Sequence, residues 1–423
     1  MGKLAIEGGK PVRTKGPFFE KDMMGEEEIN AVVDVLKSGK TRRAEVALEY
    51  EAGLAKWFGV KYALAVNSGT AALHVAVAAM GLGPGMEGIV TPYTFVSSDS
   101  CLLSVNAIPI FADIDPNYLT IDPVDVEKKI TDKTKVIIPV SIAGTPPDMD
   151  PIMKLAEEHD LWVLEDAAQS PGATYKGKLI GTIGEISVWS TIAGKFICTG
   201  EGGFALTNNE ELYDKMWSYQ NFARDRHLVG GWASNQHWGL PCNHYRITNI
   251  QAAIGLAQLR KLAGFIKKRN ANGQYLADNL KDVEGIEVMP EPPWGKKVCY
   301  WFLIRLKRDV LGVDLDQFAK ALGAEGIFDY KSYAGTTRFQ IAEHLVPLFA
   351  KKMGYGGTKC PFECPWYEYR DKLEYKKGQL PVVEKACDEV MWVVNISPSY
   401  TKEDLDDIAN GIRKVAEAYA HKK

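Results

Sequence analysis

Between about Tyr62 and Thr207, short apolar runs alternate with stretches of helical periodicity: KYALAVN, GIVTP, AIPIFADID, KVIIPVSIAG, LWVLEDAAQ, EISVWST and GGFALTN. Uninterrupted apolar runs of this length predict strands buried on both faces. Their alternation with helices predicts an α/β architecture with a mostly parallel seven-stranded sheet flanked by helices. In such sheets ligands sit at the carboxyl ends of the strands, so chemistry is expected just after each run. A long helical pattern, TNIQAAIGLAQLRKLAGFIKKRNANGQYLADNL, begins near Thr248 and leads out of this unit. The domain boundary is placed near residue 265, with an N-terminal arm and large domain over 1–265 and a smaller C-terminal α+β domain over 266–423. In the smaller unit VCYWFLIRL and VMWVVNI read as strands, and DLDQFAKALGAEG and TKEDLDDIANGIRKVAEAYAHKK as helices. Between them, about 331–380 is irregular and rich in Gly, Pro and aromatic residues, and is expected to form loops over another part of the molecule.

Composition narrows the function. The 423 residues are 46% apolar and 25% charged, enough to bury a large core, and the net charge of -4 comes with no basic stripe. Nucleic acid and membrane surfaces are therefore not expected partners, and small-molecule chemistry becomes the default. The seven cysteines are scattered through apolar segments and read as reduced. The opening MGKLAIEGGK has no apolar signal core, and no apolar run reaches the roughly 20 residues of a membrane span, so a cytoplasmic protein is expected.

Three segments carry candidate chemistry. In AVNSGTAALHVAV a strand passes through Ser68, Gly69 and Thr70 into a helix, whose free N–H groups and dipole would hold a phosphate; an ordinary helix cap reads the same way. LWVLEDAAQS puts Glu165 and Asp166 at the end of a buried strand, where an ionised carboxylate needs a cation; a protonated pyridine nitrogen and a structural ion pair both satisfy that need. In SVWSTIAGKFICTGEGGFALTN, Lys195 follows a strand, precedes a Gly-rich return and lies amid Ile192, Phe196 and Ile197. Such a partly desolvated amine suits a Schiff base better than a solvated surface lysine does.

The motifs SGTAAL, EDAAQSPGATYKGK, Lys195 with GEGG after four intervening residues, and YRITNIQAAIGLAQL occur in that order. Over roughly residues 5 to 420 they resemble the DegT/DnrJ/EryC1/StrS family, sugar and cyclitol aminotransferases among the fold-type I pyridoxal-phosphate enzymes. The resemblance implies that Lys195 holds pyridoxal 5'-phosphate and that Asp166 binds its pyridine nitrogen. Gln169 would lie near the ring hydroxyl and Phe95 would stack on the ring. Gly69, Thr70 and Ser190 would contact the phosphate. It further implies a homodimer with shared active sites, Asn243 in PCNHYRIT reaching into the partner's site. Glutamate or glutamine would be the amino donor and a keto-sugar or keto-cyclitol the acceptor, with pyridoxamine 5'-phosphate carrying the nitrogen between them, as in secondary-metabolite or cell-surface glycan biosynthesis.

The chain departs from the family pattern in two places. Asn243 stands three residues before Arg246 rather than two, and Ser141 replaces a usual histidine. Cys360 and Cys364 lack a second ligand pair with zinc-site spacing, and no metal is expected. The surrounding Cys-Pro-rich stretch resembles an insertion of longer members that aminate keto-cyclitols and some unactivated sugars, and would shape the acceptor pocket. Arg42, Arg43 and Arg338 are candidates for an anionic substrate group, or plain surface charges. A sugar dehydratase of this family would have histidine at the lysine position; an amino-hydroxybenzoate-type synthase would keep the lysine and stays open. A non-catalytic cofactor-binding regulator would lack Lys195 or Asp166 or carry a DNA-binding module, and both residues are present.

Overall fold

The computed structural model describes residues 3–15, 18, 24–227, 241–328 and 341–421. Helices α1 (Glu26–Ser38) and α2 (Glu45–Phe58) precede β1 (Tyr62–Val66), α3 (Gly69–Ala79), β2 (Glu87–Val90), α4 (Ser97–Ser104) and β3 (Ile108–Phe111). The chain continues through α5 (Pro123–Lys129), β4 (Thr134–Ile138), α6 (Met149–His159) and β5 (Trp162–Asp166). After a small hairpin, β6 (Thr174–Tyr175) and β7 (Lys178–Leu179), come β8 (Ile186–Ser190), β9 (Gly203–Thr207), α7 (Glu210–Gln220) and the long α8 (Asn249–Leu280).

All seven expected runs are strands of one sheet, in the order β1-β9-β8-β5-β4-β2-β3. The sheet is parallel apart from β9, which runs antiparallel to both β1 and β8. That one reversal positions the site. Gly203, at the start of β9, lies opposite both Val66 and Ser190, so the carboxyl ends of β1 and β8 stand level across it. A Cβ on Gly203 would stand 2.6 Å from the backbone of Ser68 and Gly69, so only glycine lets β9 pass under the start of α3.

Position 265 falls inside α8. Beyond it, β10 (Ile286–Val288), β12 (Trp301–Leu306) and β13 (Val390–Asn395) form an antiparallel sheet, while the short β11 (Gly295–Lys296) pairs with β6. Helices α10 (Leu315–Ala324), α11 (Pro381–Glu389) and α12 (Lys402–Ala420), with the single turn α9 (Arg308–Leu311), accompany this sheet. Phe318, Leu322, Ile408 and Ile412 pack on this sheet with Leu4 and Phe18 of the N-terminal arm. Buried Glu325 fixes the arm by accepting N–H bonds from Ala5 at 2.8 Å and Val12 at 3.1 Å, with Lys414 at 2.8 Å. The arm is thus first in sequence yet belongs in space to the C-terminal sheet.

The irregular stretch, described from residue 341 onward, covers the sheet edge at β3. Phe349 and Tyr375 pack edge-to-face on Phe111 with Phe362 edge-to-face on both of them, and the Tyr375 hydroxyl donates to the carbonyl of Pro109 at 2.7 Å. Tyr367 donates to Glu87 at 2.6 Å. An exposed edge strand invites pairing with other chains, and this cover removes the invitation. The expectation that all cysteines are reduced is corrected here: Cys360 and Cys364 form a disulfide, while Cys101, Cys198, Cys242, Cys299 and Cys387 are thiols. Four residues apart in a tight turn, the pair is bridged without a wider framework, which is why spacing statistics gave no signal. Among the described residues no His, Cys, Asp and Glu cluster could hold a metal ion, and no helix is long and apolar enough to cross a membrane.

Candidate active site

Asp166 ends β5 with its side chain buried. Its Oδ2 accepts from the Ser98 hydroxyl at 2.7 Å, and Ser98 is in turn 2.7 Å from Thr94 Oγ1. Oδ1 accepts from the Ala168 N–H at 3.2 Å. Burial raises the carboxyl's pKa, opposed by these hydrogen bonds and by the charge of Lys195. That last contribution places amine and carboxylate in one electrostatic neighbourhood. Its sequence neighbour behaves differently: Glu165, on the opposite face of the strand, accepts N–H bonds from Gly181, Ile183 and Gly184, each at 2.7 Å, and is a structural anchor.

Lys195 lies in the return between β8 and β9, half-buried, with its amine 4.6 Å from the centroid of the Tyr300 ring. Among the described residues it makes no ion pair or side-chain hydrogen bond. Gln169 accepts the Ala143 N–H through Oε1 at 2.6 Å, which fixes its amide so that Nε2 remains as a donor.

Gly69, Thr70 and Ser190 are brought together as expected. Ser68 caps α3 by accepting the Ala71 N–H at 3.0 Å, leaving the N–H groups of Gly69 and Thr70 without helical acceptors. A Cβ on Gly69 would come within 2.8 Å of Ser190 Cβ, so glycine is what allows α3 to start against β8. Thr70 Oγ1 is 2.8 Å from Ser97 Oγ. Phe95, in the loop after β2, is 61% exposed, so its ring face is open to a ligand.

Asn243 is placed apart from Lys195 and Asp166. Its N–H donates to Tyr219 O at 2.9 Å and its carbonyl accepts from the Phe222 N–H at 3.2 Å. The same turn nevertheless runs beside the cap of α3, since Asn67 N–H bonds Tyr245 O at 2.9 Å and Arg246 bridges Val66. His244 stacks on Phe222 at 4.9 Å. Arg246 has its pKa lowered by burial and by the charges of Arg224, Arg43 and Arg42, which marks a local concentration of positive charge. Arg43 is committed to Glu51 at 2.7 and 2.9 Å, Arg42 is exposed, and Arg338 lies outside the described residues. Ser141 is buried, its N–H bonded to the carbonyl of Asp166 at 3.0 Å.

Three contributors escaped sequence reading. Ser98 touches Asp166 and is itself bonded to Thr94, and Tyr300 lies under Lys195, yet only TPYTF with the serines after it and the Tyr within VCYWF marked their places. A cavity of about 440 Å³ along α8, lined by Asn270, Met289, Lys297 and Cys299 among others, includes neither Lys195 nor Asp166.

Asp99 of α4 and Glu343 are buried, and among the described residues Asp99 Oδ1 and Oδ2 and Glu343 Oε2 have no hydrogen-bond partner. Burial drives Asp99 well above the usual carboxylate range, with the Glu343 charge adding to it, and burial pushes Glu343 up to about 7. A raised folded pKa gives stability that is fully present below the unfolded value, about 4.5 for Glu343, and lost as pH rises through about 7. Glu343→Gln is therefore expected to flatten the loss of thermal stability between pH 5 and 8. It should raise the melting temperature at pH 8 by about 2 °C, checked by melts across that range.

The residues fit pyridoxal phosphate on their own geometry. They present a free amine, a buried acid in need of a cation, an uncovered aromatic ring and an anion-ready helix start around the same strand ends.

Comparison with known proteins gives the same direction. Over 98% of this chain and 97% of its own length, a putative L-glutamine:3-amino-2,3-dideoxy-scyllo-inosose aminotransferase of Micromonospora echinospora is 32% identical. The spore coat polysaccharide biosynthesis protein SpsC of Bacillus subtilis is also 32% identical, over 94% of this chain and 96% of that one. The X-ray structure of the aminotransferase from Psychrobacter cryohalolentis superposes with a TM-score of 0.80 at 30% identity, covering 95% of this chain and 100% of that one. The family model for the DegT/DnrJ/EryC1/StrS aminotransferases matches residues 22–368. The chain belongs to the DegT/DnrJ/EryC1/StrS aminotransferase family and is a fold-type I, pyridoxal-phosphate-dependent aminotransferase.

Proposed function

We propose that this enzyme moves an amino group from glutamate or glutamine to a keto-sugar or keto-cyclitol in amino-sugar or aminocyclitol biosynthesis, acting in the cytoplasm as a homodimer. Of the relatives named above, the Micromonospora protein is by its name a putative aminotransferase from L-glutamine to an amino-dideoxy-scyllo-inosose, and SpsC is named for spore coat polysaccharide biosynthesis; both span nearly the whole chain. The observation that carries the site assignment is the free amine of Lys195 standing where its charge is felt by buried Asp166.

Pyridoxal phosphate, when bound, supplies an electron-withdrawing ring that takes up the electron pair of the carbon losing its proton. The chain's own residues do the rest. Lys195 Nζ would hold the cofactor between turnovers and, when free, would take the proton from the substrate carbon as general base and give it back as general acid. Asp166, with lone pairs left on both oxygens, would hold the pyridine nitrogen and keep it protonated. Gln169 Nε2 would donate to the ring oxygen and Phe95 would cover the ring. The N–H groups of Gly69 and Thr70, with the hydroxyls of Thr70 and Ser190, would receive the phosphate. Asn243 and the Arg246 turn complete the site of the second copy.

The test is a half-reaction. Cofactor-loaded protein mixed with glutamate or glutamine, without any ketone, is expected to release close to one equivalent of keto acid per chain. It should turn over only when a keto-cyclitol or keto-sugar is added. Absence of keto acid with every donor, while the cofactor absorbance persists, would overturn the proposal in favour of a binding-only protein or a synthase.

A further inference from the structure

Gly194 immediately precedes Lys195 and adopts φ +84°, a left-handed conformation that glycine takes without strain. That carbonyl meets two buried side chains: Arg269 Nη2 at 3.4 Å and Asn395 Nδ2 at 3.5 Å. The two donors are themselves tied, Arg269 Nη1 donating to Asn395 Oδ1 at 2.9 Å. Arg269 comes from the middle of α8 and Asn395 from the end of β13, so α8 and the C-terminal sheet both grip the lysine's loop at one atom.

The same guanidinium extends over the lysine's other neighbours. Arg269 lies 4.6 Å above the Phe196 ring and 6.0 Å from the Tyr300 ring, and the Lys195 amine stands 4.6 Å from the centroid of that same Tyr300 ring. Residues 194, 195 and 196 are thus each held by the one layer. Each hydrogen bond to Gly194 is long and weak by itself, but converging bonds from two mutually fixed donors define the carbonyl's direction better than either alone. Burying a guanidinium is costly, and its placement against the carbonyl before the reactive residue ties that cost to the site.

We infer that Arg269 and Asn395 are positioning residues that hold the Gly194–Lys195 backbone so that the amine stands over Tyr300 and towards Asp166. The inference rests on the proposed role of Lys195. Small displacements of a reacting amine weigh heavily on rate, about 100-fold for 1 Å, so the clamp acts on turnover rather than on substrate affinity.

The experiment compares wild type with Arg269→Met, which keeps the bulk and removes the donors, and with Arg269→Lys, which keeps one. In cofactor-free protein, the rate at which trinitrobenzenesulfonate modifies Lys195 is followed by peptide mass spectrometry, with exposed Lys154 as the internal control. In loaded protein, the visible circular dichroism of the cofactor band reports its orientation. Arg269→Met is expected to change the Lys195 modification rate about tenfold relative to Lys154 and to diminish the dichroic band. Turnover should fall with KM nearly unchanged, and Arg269→Lys should lie between. A folded Arg269→Met whose Lys195 reactivity and dichroism match wild type, with only its melting temperature lowered, overturns the inference by reducing Arg269 to a structural link. Should that variant fail to fold, Asn395→Ser takes its place with the same expected and overturning results. Lys195→Ala separates the two levels: if it abolishes the cofactor band while the Arg269 variants leave every readout unchanged, the clamp is wrong and the role of Lys195 stands. If Lys195→Ala retains the band, the role of Lys195 fails first.

Discussion

Lys195→Ala is expected to lose at least about 10⁴-fold in turnover, roughly 5.5 kcal/mol of barrier, because one side chain both holds the cofactor and moves the proton. The fold should survive. The side chain is half-buried, makes no hydrogen bond or ion pair among the described residues and stands over the face of Tyr300, so its removal leaves no orphaned hydrogen-bond partner. Thermal melts of the cofactor-free variant and wild type should therefore agree within a few degrees, while single-turnover keto-acid release separates them. An added small amine should restore part of the proton transfer in the variant but not in wild type, since the vacated space admits it.

Asp166→Asn is expected to cut turnover by about 10³-fold, the scale of removing a preorganised charge partner from a developing charge. Its effect on stability has the opposite sign. Burial, the largest influence, raises the Asp166 pKa against the hydrogen bonds of Ser98 and Ala168 and the charge of Lys195. In cofactor-free protein at neutral pH the ionised carboxylate therefore costs stability, and that cost grows as pH rises past the unfolded value of about 3.8. Asparagine keeps the shape and the Ser98 contact, the hydroxyl turning to suit, and removes the charge. The variant should melt slightly higher than wild type without cofactor and gain less on adding it. Activity and stability moving in opposite directions is the signature of a carboxylate kept for its ligand rather than for the fold. Equal losses of both would mark Asp166 as a structural residue.

Much of this architecture was readable from the chain because its strands announce themselves. A strand buried on both faces carries an unbroken apolar run, and each of the seven in the sheet did so, from YALAV to GFALT. The residues that follow those runs, Asp166 after LWVLE and Lys195 after SVWST, converge because parallel strands put their carboxyl ends on one rim. What stayed hidden depends on pairing at a distance. The reversal of β9, which levels Ser190 with the cap of α3, is a matter of register that hydrophobicity does not encode. Ser98 is one of four serines between residues 97 and 104, and only the packing of α4 singles it out for Asp166. The stretch after residue 341 reads as irregular because its order comes from aromatic rings seated on β3 and tyrosine hydroxyls on the strand edge, not from a repeating backbone pattern. Arg269 looks like any basic residue in KKRN, and Asn395 like the end of a strand, until α8 and β13 bring them to one carbonyl.

The central claim is that one amine, that of Lys195, binds the cofactor covalently. Reduction of the loaded protein with borohydride fixes the cofactor to whichever amine holds it, and peptide mapping by mass spectrometry then locates the added mass. It is expected on the peptide spanning IAGKFICTGEGG, at Lys195, with close to one label per chain. A label on any other lysine, or none while the cofactor absorbance persists before reduction, would contradict the account.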